Sequence, residues 1–187
     1  MLGRTEAYTL LTQYLKDGRM VKHCVAVEAI MRALARRLSE DEELWGLIGL
    51  LHDIDYDYVD RDLSKHGLGA LELLKGYLPD YALEAVALHN EHNAFKPSSE
   101  KAVKISQALR ASDHLSGLIV ATALVMPSKR LSEVRAEAVA KKFKSKDFAR
   151  SIDRNRVMEI EKLGMNLEDF FSLGLEALKS IAGELNL

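Results

Sequence analysis

The chain has 187 residues, of which 48% are hydrophobic and 29% charged, a composition typical of a globular protein that buries a core without disulfide or metal staples. Its single cysteine, Cys24, excludes an internal disulfide and favours a reducing compartment. No basic-then-apolar signal sequence opens the chain, and the longest apolar runs, Leu44–Leu51 and Leu118–Met126, are shorter than the roughly 20 residues of a membrane span. These features predict a cytoplasmic protein without a membrane partner.

The charge is unevenly distributed along the chain. Residues 129–156 contain 10 Lys/Arg against 4 Asp/Glu, whereas the rest of the chain contains 16 against 24. A basic segment on an otherwise acidic protein favours an anionic ligand, with Lys129 as our candidate contact, although a solvated helical face is the alternative interpretation. The overall charge of -2 and the lack of a recognisable nucleic-acid-binding fold argue against nucleic acid as a partner.

The hydrophobic pattern predicts helices throughout. Apolar residues recur at helical spacing, and no stretch shows the sustained alternation of a strand. Caps, glycines and prolines then place the helix ends. The predicted helices cover approximately residues 5–16, 20–38, 41–51, 66–76, 79–89, 100–126, 132–143, 154–163 and 167–185. The sequence therefore predicts an all-α fold, with residues 1–187 forming one domain.

Histidines and carboxylates punctuate these helices in a pattern that favours a site for a divalent metal such as manganese, iron, cobalt, nickel or zinc. His52 and Asp53 directly follow the apolar run at the end of a helix, where adjacent side chains can face one ion although they project about 100° apart within a helix. Asp113 lies in the middle of a long apolar helix, where an unpaired carboxylate is costly. The candidates are His23, His52, Asp53, His66, His89, His92 and Asp113.

Each candidate also has a structural interpretation. A lone histidine on an amphipathic helix is usually a core or surface residue with its hydrogen bonds satisfied. Asp113 has Arg110 one turn earlier as a pairing partner, and His89 and His92 are compatible with a solvent-facing loop. The sequence leaves two roles for Arg110, a contact with the phosphate of a substrate or an ion pair within the protein.

The order of these residues resembles that of a known family. His23, then His52–Asp53 within LWGLIGLLHDID, then Asp113 within ASDHL resemble the HD superfamily of metal-dependent phosphohydrolases, in particular its predicted hydrolases of the HDIG type. The family motif continues His-Asp-Ile-Gly, and here Asp55 stands in place of the glycine. The resemblance implies an HD-domain helical bundle with a core at about 20–127 and a helical extension at about 128–187.

The resemblance also implies a ligand set, residue by residue. His23, His52, Asp53 and Asp113 match the ligands of a first metal, and Asp53 and Asp113 are the expected catalytic carboxylates. His66, within KHGLGA, and His89, at the end of EAVALH, match the ligands of a second metal, which Asp53 would share. If His66 and His89 do not converge on Asp53, the site would hold one metal. The role of His92 stays open: it is a metal ligand, a hydrogen-bond donor to a phosphate group, or a residue without a role in the site.

For function, the resemblance implies hydrolysis of a phosphate ester of a nucleotide or related small molecule, by water that two divalent ions activate. Their identity stays open among manganese, iron, cobalt, nickel, zinc and magnesium. Two alternatives remain: a non-catalytic regulatory module that binds metal, a nucleotide or a partner protein, and a diiron oxygenase. The complete ligand set favours the enzyme, because a decayed module is expected to lose ligands. Monomer and homodimer are equally compatible with the sequence.

Overall fold

The computed structural model describes residues 2–187, and within them helices, short 3₁₀ turns and loops form without any strand. The prediction of an all-α fold is therefore confirmed. The helices are α1 (Arg4–Tyr14), α2 (Gly18–Leu38), α3 (Glu42–Leu51), α4 (Leu68–Leu73), α5 (Asp80–Ala87), α6 (Glu100–Leu124), α7 (Ala136–Lys144), α8 (Arg154–Met158), α9 (Leu167–Ser180) and α10 (Ala182–Leu185). Three 3₁₀ turns lie at Glu91–Asn93, Leu131–Glu133 and Glu159–Leu163. Over the described range, no helix is both long enough and apolar enough to cross a membrane.

Two predicted helix starts lie at other residues in the structure, and both differences involve glycine. Helix α2 begins at Gly18 rather than at about residue 20, because the side chain of Asp17 accepts a hydrogen bond from the backbone N–H of Arg19 and caps the helix. The fourth helix begins at Leu68 rather than near His66, since Gly67 has a φ of +85° and interrupts the helical backbone. His66 therefore lies in a turn just before α4.

The centre of the fold is the packing of α3 against α2. All residues from Leu44 to Leu51 are buried, so α3 is enclosed on every side. Gly49 permits a close approach of the two helices: a Cβ atom there would lie 3.0 Å from the backbone N and Cα of Glu28. Because α3 is buried from Leu44 to its C-terminal end, the residues that follow it, His52 and Asp53, enter the interior of the protein.

The long helix α6 also packs in the common core, and the C-terminal helices α8 and α9 pack against it. Phe170 and Leu178 of α9 are buried in the common core, and Gly174 of α9 faces Leu115 of α6. Between α7 and α8, the guanidinium of Arg154 donates hydrogen bonds to several loop carbonyls, including those of Ala149 and Ile152 at 2.8 and 2.7 Å. This loop places the start of α8 beside the middle of α6.

Candidate metal centre

Six side chains from five parts of the fold converge at one point. His23 comes from α2 and Asp113 from the middle of α6. His52 and Asp53 follow the end of α3, while His66 precedes α4 and His89 follows α5. The structure thus brings together all six residues that the sequence analysis named as metal ligands, with His92 apart from them.

The first group of ligand atoms surrounds one oxygen of Asp53. The Oδ2 atom of Asp53 lies 3.3 Å from Nε2 of His52 and 3.8 Å from Nε2 of His23. His23 Nε2 also lies 3.0 Å from Oδ1 of Asp113. Ligand atoms of His23, His52 and Asp113 lie within 4.8 Å of one another, a spacing that suits one ion.

The second group surrounds the other oxygen of the same carboxylate. Oδ1 of Asp53 lies 3.2 Å from Nε2 of His66 and 3.4 Å from Nε2 of His89. The two imidazole Nε2 atoms are themselves only 3.0 Å apart. Each oxygen of Asp53 thus faces a different ligand group, and the convergence that a two-metal site requires is present.

The outer nitrogens of the four imidazoles fix which nitrogen points inward. Nδ1 of His52 donates to the carbonyl of Gly49 at 2.8 Å, and Nδ1 of His89 donates to the carbonyl of Val86. The hydroxyl of Ser116 donates to the carbonyl of Asp113, so its oxygen accepts from Nδ1 of His23 at 3.3 Å. With Nδ1 carrying the proton, Nε2 is left with a lone pair directed at the centre, as in metal-bound histidines.

Asp55, the residue at the glycine position of the family motif, orients the fourth imidazole. Its buried carboxylate accepts hydrogen bonds from Nδ1 of His66 at 2.8 Å and from the backbone N–H groups of Gly67 and Ala70 at 2.7 and 3.0 Å. A Cβ atom on Gly69 would lie 2.9 Å from Asp55 Oδ2, so glycine makes room for this carboxylate. Asp55 therefore holds both His66 and the start of α4 in place.

The electrostatics of the centre call for a cation. Burial opposes protonation of His52, but the Asp53 carboxylate outweighs it and raises the pKa of His52 to about 9. For Asp113, burial raises the pKa of the carboxyl group, but the neighbouring His23 outweighs burial and lowers that pKa to about 2. Nε2 of His52 is buried without a hydrogen-bond partner, because its approach to Asp53 lacks hydrogen-bond geometry. An orphaned inward nitrogen beside ionised carboxylates fits a divalent metal of borderline softness.

The remaining predicted residues lie outside these groups. His92 is exposed and lines the cavity in front of the centre without joining either ligand group. Arg110 is in an ion pair: its Nη2 and Nε donate to Oε2 of Glu159 at 2.6 and 3.0 Å, and Asp113 pairs with His23 instead. Lys129 is exposed and is not part of the wall of the cavity.

The cavity in front of the centre has a volume of about 300 Å³ and includes residues that the sequence analysis did not single out. Tyr56 and Asn90 line it, as do His114 of α6 and Arg156 of α8. Arg156 was counted only as part of the basic segment, since nothing in the local sequence separates it from its neighbours. Its place depends on how α8 docks against α6, which local patterns do not encode.

Replacing Asp55 by asparagine is expected to weaken metal binding at the candidate ligand group that contains His66, and not at the group that contains His23. The amide would donate to Nδ1 of His66, so the ring proton would move to Nε2 and block that ligand atom. We expect an affinity for the second ion about 10- to 100-fold lower, measured by titration calorimetry with Mn²⁺. Asp57→Asn is the matched control, because Asp57 accepts from the backbone of Lys16 and not from a candidate ligand. Equal loss in both variants would contradict this role of Asp55.

The stability of the metal-free protein should depend on pH through His52 and His66. Burial opposes protonation of His66, yet Asp53 and Asp55 raise its pKa to about 9, like that of His52. Because these values exceed the ordinary 6.5, the stabilisation is complete below about pH 6.5 and lost as the pH rises towards 9. Melting temperatures of chelator-treated protein should fall over this interval, while metal-saturated protein, whose ligands are already neutral, should change less. A flat profile for the metal-free protein would contradict the expectation.

Comparison with known proteins agrees with this geometry. A family model described as HD domain matches residues 20–176, a region that contains all six converging residues. No curated protein and no solved structure matches the chain. Since the match covers most of the chain and the histidines and aspartates meet in space, the chain belongs to the HD domain family.

Proposed function

We propose that the protein is a divalent-metal-dependent phosphohydrolase that cleaves a phosphate ester of a nucleotide or a related small molecule. The observation that carries this proposal is the position of Asp53, whose two carboxylate oxygens face two separate groups of inward-pointing ligand atoms. Membership in the HD domain family supports metal-dependent hydrolase activity in general. The HDIG subtype and the cytoplasmic location remain predictions of the sequence, and the oligomeric state stays open between monomer and homodimer.

The six converging residues would hold two metal ions. His23, His52 and Asp113 would hold one ion, His66 and His89 would hold a second, and Asp53 would be shared. Two such ions, when bound, clamp a phosphoryl group, lower the pKa of a water molecule and stabilise the leaving oxygen. The outer hydrogen bonds of the imidazoles keep the ligand atoms in place, so little reorganisation is needed when a substrate enters.

The cavity supports a small substrate. Its volume of about 300 Å³ is at the lower end of the range for small-molecule sites. Tyr56 and Leu63 offer apolar surface for a base or another organic group, while Asn90 and His92 offer polar contacts. His92 and His114 line this cavity outside the two ligand groups, and we assign them as candidates to give a proton to the leaving oxygen.

The proposal predicts which substitutions abolish turnover. With Mn²⁺ or Co²⁺, the protein should release phosphate from members of a panel of nucleoside monophosphates and simple phosphate esters. His52→Ala and Asp53→Ala should lower the rate by roughly 1000-fold or more, because each removes a ligand on which several kcal/mol of transition-state stabilisation depend. Asp147→Ala, which removes an exposed carboxylate far from the ligand groups in sequence, is the control.

The same assay separates the proposal from its alternatives. Binding of metal and nucleotide without any phosphate release would identify a regulatory module. Oxygen consumption by iron-loaded protein, again without phosphate release, would identify an oxygenase. Full activity of His52→Ala and Asp53→Ala would contradict the assignment of the site itself.

A further inference from the structure

The wall of the cavity in front of the metal centre carries one arginine. Among the described residues that line the cavity, Arg156 is the sole lysine or arginine, whereas four carboxylates line it: Asp53, Glu91, Asp113 and Asp153. The negative charge of these carboxylates repels a phosphoryl group, so positive charge must offset it before the group can bind in the cavity. Arg156 is the side chain that can supply this charge, and its planar guanidinium matches two phosphate oxygens at once.

One side of this guanidinium is firmly anchored. Nη1 of Arg156 donates to Oε1 of Glu159, a carboxylate whose side chain is only 6% exposed. The other oxygen of Glu159 is bound by Arg110, which also donates to the carbonyl of Leu88 at 2.8 Å. Leu88 directly precedes His89. This chain of contacts fixes the head of Arg156 relative to the candidate metal ligands.

The other side of the guanidinium has only weakly held partners. Nη2 contacts a carboxylate oxygen of Glu91, a side chain that is 59% exposed, and Nε lies 4.0 Å from Oδ2 of Asp153. Both carboxylates are exposed, and ion pairs to exposed carboxylates contribute little, so an anion of higher charge can replace them. The Nε and Nη2 atoms form one edge of the guanidinium, and this edge can bind two phosphate oxygens through two parallel hydrogen bonds.

We propose that the Nε–Nη2 edge of Arg156 binds the phosphoryl group of the substrate, and that Glu91 occupies this edge until the substrate displaces it. The inference rests on the proposed function for the identity of the ligand, but the placement of Arg156 stands on its own contacts. It makes Arg156 a substrate-binding residue contributed by α8, and it makes Glu91 a competitor of the substrate.

Inorganic phosphate tests this proposal without requiring turnover. Binding of phosphate to Mn²⁺-loaded protein is measured by titration calorimetry for the wild type and for Arg156→Ala, Arg156→Lys and Glu91→Gln. We expect Arg156→Ala to weaken binding about tenfold or more, and Arg156→Lys to bind with intermediate affinity because a lysine retains the charge without the fork. Glu91→Gln should tighten binding about threefold, because it removes the competing charge.

The controls separate this role from a structural one. Arg150→Ala removes an exposed arginine of the same basic segment and should leave phosphate binding unchanged. Melting temperatures identify any variant that fails to fold, and if Arg156→Ala does, then Arg156→Lys and Glu91→Gln decide the question. Wild-type affinity in a folded Arg156→Ala, weaker binding in Glu91→Gln, or no phosphate binding by the wild type would each overturn the proposal. The phosphate-ester screen judges the proposed function separately.

Discussion

The carboxylate of Asp53 is the feature on which the rest of the site depends. It is buried among four imidazoles and is in contact with three of them through its two oxygens. A carboxylate in such surroundings stays ionised only next to positive charge, which protons on the imidazoles or metal ions can provide. The neighbouring imidazoles hold the pKa of Asp53 well below its usual range despite burial. The centre is therefore prepared for cations before any ion binds.

The surrounding fold explains why this carboxylate is in the interior. From Leu44 to Leu51, helix α3 is apolar on all sides, and glycine at position 49 lets it pack closely against α2. Its end must consequently place His52 and Asp53 inside the protein. Asp55 lies two residues after Asp53, and its carboxylate accepts a hydrogen bond from His66 and orients that ring. One short segment therefore provides both the shared candidate ligand and the support for another. A substitution at Asp55 thus acts through His66 rather than through direct contact with an ion.

The sequence predicted features that depend on local residue patterns, and it was less informative about contacts that depend on how distant helices pack together. The apolar run before His52 and the acidic residue within α6 were visible as anomalies, and the order of the ligands supplied the family resemblance. The turn around His66 was misjudged, because the positive φ of Gly67 is a property of the folded backbone rather than of the helical pattern. Whether Arg110 contacts phosphate or forms an ion pair was open, since its partner Glu159 is distant in sequence. Arg156 was missed because its position at the cavity depends on how α8 docks against α6.

The C-terminal helices contribute residues to the cavity in front of the candidate metal centre. The family match runs to residue 176 and so includes α8, whose Arg156 lines the cavity, and most of α9. Glu159 links Arg156 to Arg110, and through Leu88 to the end of α5. The division between core and extension that the sequence suggests stays a prediction, but the cavity itself draws residues from both sides of it.

The most direct test of the shared role of Asp53 is X-ray diffraction from crystals soaked in Mn²⁺, recorded at the manganese absorption edge. The account predicts two anomalous peaks about 3.5–4 Å apart, one beside each oxygen of Asp53, the first near His23 and His52 and the second near His66 and His89. A single peak beside Asp53, or no peak within ligand distance of it, in well-ordered crystals would contradict the shared role.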